Sequence, residues 1–402
     1  MLGLTFALFF AALALLLFLL NRYVLSWVTQ AFTLSARVKR WAAVGLAASL
    51  VAMIGGRLLY RVWPGVPLSG LIATGSMVQL TVLLAAVLLL FADGALIARR
   101  LWQRRRQEPM PTVTTEAPQP EFPRRTFLGQ AAAGSAFMIA SSSSLYGALA
   151  GRHDYAIEDL PLRLPGLPRS LDGFTIAQLS DVHIGQFVGE AELAAAEDLL
   201  RRARPDLIVL TGDLIDFDAR MAPLLGRFVR RVAPLAREGV VAITGNHDFY
   251  AGVDPTVAAL RAGGAKVLRN QGLVIGGDRG FALLGVDDVW ATRYGGGPDL
   301  GAAVASLPEQ ARGLSRILLC HNPSYFEDAA GEVALQLSGH THGGQINPLV
   351  RPADWVLKNG WVAGSYDSKG SRLYVNRGFG VVGPPARLGA PPEVTRVVLA
   401  AG

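Results

Sequence analysis

Five of the chain's six histidines fall in a series of short motifs rich in Asp, Asn and Gly, and each motif directly follows a short apolar run. The motifs are Asp181-Val-His183, Gly212-Asp213-Leu-Ile-Asp216, Gly245-Asn246-His247-Asp248, His321 and Gly339-His340-Thr-His342. In open α/β sheets ligands bind in the crevice beyond the carboxyl ends of the strands. A chain that ends strand after strand in this way must bring those ends to one place. Imidazole with carboxylate suits a borderline transition metal. The ligands are too many for a single ion that must also leave room for water and substrate, so the count points to two metals.

The runs themselves predict the architecture. Strands are expected at 174–179, 207–210, 240–243, 273–276, 281–286, 316–320, 334–338, 373–376 and 394–399, and helices at 190–204, 219–237 and 255–263. Alternating strands and helices followed by a strand-rich second half imply an α/β fold, a layered β-sandwich flanked by helices. The stretch 343–372, rich in Gly, Trp and Pro, is expected to be loop, with Gly343 and Gly344 turning the backbone tightly. Cys320, the sole cysteine, rules out an internal disulfide and is expected to be a buried apolar side chain.

The ordered set D-x-H, G-D-x-x-D, G-N-H-D, H and G-H-T-H resembles the calcineurin-like metallophosphoesterase superfamily over about residues 172–400. The run Ser338-Gly-His-Thr-His-Gly-Gly-Gln-Ile346 is also similar to the branch attached to bacterial membranes. The resemblance implies that Asp181, His183 and His342 bind a first metal, that Asn246, His321 and His340 bind a second, and that Asp213 bridges them. It also implies that His247 is the general acid at the leaving-group oxygen, with Asp216 orienting its imidazole, and that Asp248 supports the same loop. The cofactor would be two divalent ions, Mn, Fe or Zn, since no thiolate is among the ligands. Asp287 and Asp288 are expected to be loop carboxylates. Arg377 is expected either to reach a substrate phosphate or to form a loop salt bridge. His153 lies in no motif and has no expected role at the site.

The first part of the chain is of another kind. Residues 1–150 hold 13 Lys/Arg against 4 Asp/Glu, whereas residues 151–402 hold 25 against 27. The near-neutral second part offers no basic face, so no nucleic-acid partner is expected. Residues 1–98 contain three apolar spans, at 2–20, 41–60 and 71–98, each about long enough to cross a bilayer. Arg57 and Asp93 are expected near the interfaces, where long side chains snorkel, with a paired buried role as the alternative. Arg37, Lys39 and Arg40 lie between the first two spans, and five arginines from Arg99 to Arg106 follow the third. Under the positive-inside rule the N-terminus is outside and residues 99–123, a basic segment and Pro-rich linker, are cytoplasmic.

Residues 124–150 then begin with Arg124-Arg125-Thr-Phe-Leu128 and continue as a weak apolar run of Ala, Ser and Gly. The pattern resembles a twin-arginine export signal, internally placed where such signals are usually N-terminal; the alternative is a fourth span. Ala148-Leu-Ala150 has the small-residue character of a cleavage site. Either reading puts residues 151–402 on the extracytoplasmic side, and the first makes the twin-arginine machinery a partner. The expectation is a multi-pass, membrane-anchored dinuclear phosphoesterase acting on phosphate ester or pyrophosphate bonds of a lipid-linked or cell-envelope substrate. Two alternatives are a nuclease or cyclic-nucleotide phosphodiesterase on the same metals, and a non-catalytic receptor keeping the fold. No ligand position is missing, which weighs against the receptor.

Overall fold

The computed structural model describes residues 2–63, 67–106 and 124–401; the expected linker at 107–123 lies outside them. Contacts divide the chain into two compact units, Met1–Tyr146 and Gly147–Gly402. The first unit is helical: α1 (Leu2–Ala31), α2 (Ala36–Val62), α3 (Ser69–Arg106) and most of α4 (Arg124–Leu149). Among the described residues three stretches are long and apolar enough to cross a membrane: Ala11–Ala31, Ala36–Tyr60 and Ser69–Gln103. The second and third contain the expected spans 41–60 and 71–98, whereas the first overlaps the expected 2–20 only over 11–20 and runs on to Ala31. Arg124 and Arg125 open α4, which is not among the three.

Inside this unit Asn21, Gln79 and Ser49 form a buried polar set, with Asn21 donating to Gln79 Oε1 at 3.0 Å and Gln79 donating to Ser49 Oγ at 2.8 Å. Asp93 takes the paired alternative. It does not snorkel alone: Tyr23 Oη–H and Trp27 Nε1–H donate to Asp93 Oδ2 at 2.8 and 3.0 Å. An intramembrane carboxylate is costly unless it is partnered, and two donors from one neighbouring helix supply that partner.

The second unit has twelve strands: β1 (Ala156–Leu164), β2 (Thr175–Leu179), β3 (Leu207–Thr211), β4 (Val240–Ile243), β5 (Lys266–Val267), β6 (Gln271–Ile275), β7 (Phe281–Gly285), β8 (Arg316–Leu319), β9 (Leu335–Ser338), β10 (Gly364–Ser368), β11 (Ser371–Val375) and β12 (Glu393–Ala401). Its helices are α5 (Glu190–Ala203), α6 (Ala222–Val232), α7 (Asn246–Ala251), α8 (Val253–Ala262), α9 (Leu300–Ala305), α10 (Phe326–Ala329) and α11 (Ala353–Val356). One sheet runs β1-β12-β2-β3-β4-β5 and the other β10-β11-β9-β8-β7-β6. β2 to β5 are mutually parallel, as are β7, β8, β9 and β11.

The two sheets face each other across a core of Ile176, Leu207, Val241 and Ile243 on one side and Phe281, Leu283, Ile317 and Leu337 on the other. The alternate residues Ala177, Leu179, Ile208 and Leu210 pack outward against α5, α6 and α8. Ala282, Leu284 and Leu318 pack outward toward Ala303 of α9. Each sheet is therefore buried on both faces, which is why its central strands are continuous apolar runs. This is the expected layered α/β sandwich.

Three strands escape the sequence pattern. β1 carries Pro161 and three charged residues, yet it alternates: Leu160, Leu162 and Leu164 are buried between exposed neighbours. It lies at a sheet edge, where proline and charge are tolerated. β10, within the expected loop 343–372, is short, polar and also an edge; β5 has two residues.

Phe281 is fully buried and meets Phe174 edge-on at 5.6 Å between ring centroids. Phe281→Ala is expected to destabilise the second unit by about 3–5 kcal/mol, measured as a lower urea midpoint for the detergent-solubilised chain.

Candidate metal centre

Strand ends of both sheets deliver the motif side chains. Asp181 and His183 follow β2, Asp213 and Asp216 follow β3, and Asn246, His247 and Asp248 form the first turn of α7 after β4. His321 follows β8, and His340 and His342 follow β9. The sheets are joined here: Gln178 Nε2–H donates to Thr211 Oγ1 at 2.9 Å in its own sheet and to the Ser338 carbonyl of the other at 3.0 Å.

Three groups of potential ligand atoms result, two made wholly of predicted ligands and one of His183, Asp216 and His247. Asp181, His183 and His342 bring one donor atom each within 4.8 Å of one another, and Asp213, His321 and His340 do the same. In the first group His183 Nε2 and His342 Nε2 are 3.0 Å apart, and Asp181 Oδ1 lies 3.5 Å from His342 Nε2. Asp213 Oδ2 stands between the groups, 3.7 Å from His183 Nε2 and 3.2 Å from His321 Nε2.

The donor atoms fit cations. His321 Nδ1–H donates to the Thr211 carbonyl at 2.8 Å, an acceptor only, which aims Nε2 toward Asp213. His321 Nε2, Asn246 Oδ1 and His340 Nδ1 are buried and have no hydrogen-bond partner. Buried polar atoms left unsatisfied together call for an ion or water. Burial, reinforced by the charge on His321, lowers the His340 pKa to about 3. Burial, then His183 and Arg387, hold His342 well below the ordinary histidine value. Both imidazoles thus keep a free lone pair. Burial alone would raise Asp213, but His321 and His247 outweigh it and hold the carboxyl well below its usual range.

Backbone strain is concentrated at the same residues. Asp181, His183, Asp213, His340 and His342 all adopt left-handed conformations, with φ of 52°, 52°, 53°, 73° and 52°. Such conformations are uncommon for non-glycine residues and persist where the surroundings over-determine them. Here Asp181 and His183 N–H donate to the carbonyls of Gly212 and Asp213, each at 3.0 Å, and His340 N–H donates to the Asp181 carboxylate at 3.0 Å. Asp248 accepts from the backbone of Gly245, Leu214 and Ile215 at 2.8, 3.0 and 3.0 Å, tying the second and third motifs together. Gly343 has φ of 60°, and a Cβ there would lie 2.8 Å from Arg377 Cγ.

His247 is beside the two groups. Its Nδ1–H faces the Asp216 carbonyl at 3.0 Å and Oδ1 at 3.1 Å. Burial opposes charge on His247, but the Asp213 carboxylate and the bonds to Asp216 outweigh it and raise its pKa to about 9. The Phe217 ring stands 4.6 Å from the His247 ring.

Two expectations change and one residue is new. Asp288 is not a plain loop carboxylate: it is buried, accepts from Trp290 N–H at 2.8 Å, and burial raises its pKa to about 6. Asp287 pairs with Arg269 at 2.8 Å. Arg377 takes the salt-bridge alternative, meeting Glu158 at 2.5 Å and Glu393 at 2.7 Å. The residue that motif reasoning misses is Arg387, 1% exposed. Its Nη2 lies 3.3 Å from His342 Nδ1, and it donates to the carbonyls of Gly380, Arg377 and Ala390. Its surroundings, Pro384-Pro385-Ala386-Arg387, carry no signal of such a role. His153 is exposed and paired with Arg152, outside the centre.

A family model described as calcineurin-like phosphoesterase matches residues 174–344. The uncharacterized metallophosphoesterase YkuE of Bacillus subtilis is 34% identical over 244 residues, 57% of this chain and 80% of that protein. The chain is a calcineurin-like metallophosphoesterase. As such it belongs with the metal-dependent phosphoester hydrolases. Phosphodiesterase YaeI of Escherichia coli is 36% identical over 234 residues, covering 56% of this metallophosphoesterase and 82% of YaeI. A zebrafish transmembrane protein with metallophosphoesterase domain is 32% identical over 276 residues, 66% of this chain and 62% of that one.

Arg387→Met leaves several buried carbonyls without donors. It is expected to cost about 2 kcal/mol or more, checked by urea unfolding; a variant as stable as the parent would contradict the buried role.

Proposed function

We propose that this metallophosphoesterase is a membrane-anchored dinuclear hydrolase of phosphodiester or pyrophosphate bonds. Asp181, His183 and His342 would hold one divalent ion and Asn246, His321 and His340 another, with Asp213 shared. The observation that carries the reading is Asp213 Oδ2, placed within 4 Å of donor atoms from both groups. A bound pair of divalent ions supplies Lewis acidity toward the phosphoryl oxygens and an acidified water as nucleophile.

The chain's own residues do the rest. His247 holds a proton, and Asp216 takes its Nδ1–H, so that Nε2 is the nitrogen left to protonate a leaving oxygen. Asp248 keeps the His247 loop against Asp213, whose Oδ1 accepts the His247 backbone N–H at 2.8 Å. The name of the E. coli relative, a phosphodiesterase, favours a diester. The three apolar helices and the name of the zebrafish relative favour a site at a membrane, and a lipid-linked or cell-envelope substrate follows from that location. The loop arginines favour an extracytoplasmic second unit, delivered either through the twin-arginine machinery or by a fourth span.

Without a proton donor, a poor alkoxide leaving group suffers more than a good aryloxide. His247→Ala is expected to lower kcat by about 10²–10⁴-fold on an alkyl phosphodiester and far less on a nitrophenyl ester; equal losses on both would remove the residue from that role. Asp213→Asn is expected to reduce bound metal, measured by elemental analysis of the purified chain, from two ions to one or none. A parent chain with one ion at saturation would end the dinuclear reading. Changing Arg124 and Arg125 together to Lys is expected to keep the second unit inside, read by protease protection of spheroplasts; unchanged export would favour the fourth-span alternative.

A further inference from the structure

Among the described residues of 151–402, every large apolar side chain that is exposed lies on a loop leaving the metal centre. Leu349, Val350, Trp355, Val356 and Leu357 are 80%, 54%, 75%, 81% and 38% exposed. Phe217 is the neighbour of Asp216, with its ring tilted against that of His247 at 4.6 Å, and Tyr294 stacks on Phe249, two residues after His247. The rest of the unit's surface carries none. Large apolar groups gathered on one rim mark an interaction site.

The larger segment is fastened to the ligand motif at both ends. Asn347 Nδ2–H donates to the Gly343 carbonyl at 2.8 Å, and Thr341 Oγ1–H donates to the Val362 carbonyl at 2.6 Å. Between these clamps the chain projects outward and forms the single turn α11, from which Trp355 and Val356 stand into solvent. Arg351 follows Leu349 and Val350, and Lys358 follows Trp355, Val356 and Leu357; each also forms an exposed ion pair, with Asp354 at 2.8 Å and with Glu327 at 2.6 Å. Tryptophan and branched aliphatics flanked by basic side chains are the composition that enters the headgroup and acyl boundary of a bilayer. A bilayer is also the partner for which this chain supplies independent reason, because three of its helices are long and apolar enough to cross one. Covalent linkage to those helices raises the effective concentration of lipid at the second unit.

We propose that the segment 348–358 is a membrane-docking flap, with Phe217 and Tyr294 on the same rim, that sets the metal centre against a lipid surface. The substrate class follows: an amphiphile whose phosphate lies at the headgroup level and enters the centre from the bilayer. This last step rests on the phosphoesterase reading; the docking itself does not.

The test uses the full chain reconstituted in phosphatidylethanolamine/phosphatidylglycerol vesicles. Val356→Cys carries an environment-sensitive NBD label, and Gln310→Cys, exposed in the short helix after α9, serves as control; the native Cys320 is fully buried. The label at 356 is expected to emit to the blue of the control and to be quenched by spin-labelled lipid, with the control unaffected. Emission equal to the control overturns the proposal. A blue shift without lipid quenching also overturns it and assigns the face to a protein, such as a second copy of the chain. In a kinetic arm, Trp355→Asp with Val356→Asp is expected to raise KM by about tenfold for a phosphodiester embedded in vesicles, and to leave kcat on a water-soluble nitrophenyl diester unchanged. A parent chain inert on both substrates sinks the phosphoesterase reading and leaves the fluorescence result standing. Parallel losses on both substrates sink the flap.

Discussion

The Asp213 carboxylate, buried among His183, His247 and His321, costs several kcal/mol to remove from water. That cost is met only if positive charge lies close on more than one side. Neither sheet can supply such surroundings alone, since His183 and His247 follow strands of one and His321, His340 and His342 follow strands of the other. The face-to-face packing of β2, β3 and β4 on β7, β8 and β9 therefore does more than bury apolar area. It brings the five strand ends into one volume, and the Gln178 amide, bonded within its own sheet and across to the Ser338 carbonyl, keeps them there. The same packing excludes water, which is why His340 and His342 are held neutral.

Strain and stability are divided in the way this predicts. The central strands are apolar and buried, whereas in the loops after β2, β3 and β9 the motif residues turn into the left-handed region. The turn aims a side chain inward that a continuing strand would place on one face or the other. Five such residues in three loops would be unfavourable if each stood alone. They are held by one another through backbone bonds from one motif to the next, such as His183 to Asp213 and His340 to Asp181. A change in one motif is thus felt in its neighbours, and single substitutions there should not add.

Much of this was legible in the sequence, and the reasons are local. β3, β4 and β8 announce themselves because strands buried on both faces must be apolar throughout. The motif residues stand out because charge and imidazole immediately after such runs have no structural use. Where burial is one-sided the signal fades: β1 hides behind Pro161 and its charges, and β10 behind a Gly- and Ser-rich composition. Asp93 looked like a snorkelling residue because its partners, Tyr23 and Trp27, lie on a helix some seventy positions earlier. Arg387 was invisible for a related reason. Its importance comes from three carbonyls and an imidazole that chain folding collects around it, and no spacing records that.

The contrast between the centre and its rim explains what resemblance can and cannot transfer. Side chains on the ends of buried strands are constrained by the whole sandwich, so a chain about one-third identical to its relatives gathers six of the seven predicted ligands into two tight groups of donor atoms. The rim is free of that constraint. The stretch 348–358 reads as plain loop because its apolar residues follow neither the period of a strand nor that of a helix, and Leu349, Trp355 and Val356 stay largely exposed. Exposed Trp355 and Val356 gain nothing for folding, so their presence has to be explained by what the loop meets outside the molecule. Chemistry is set by the part of the structure that folding fixes, and substrate choice by the part that folding leaves open; reading the second requires asking which side chains the fold does not need.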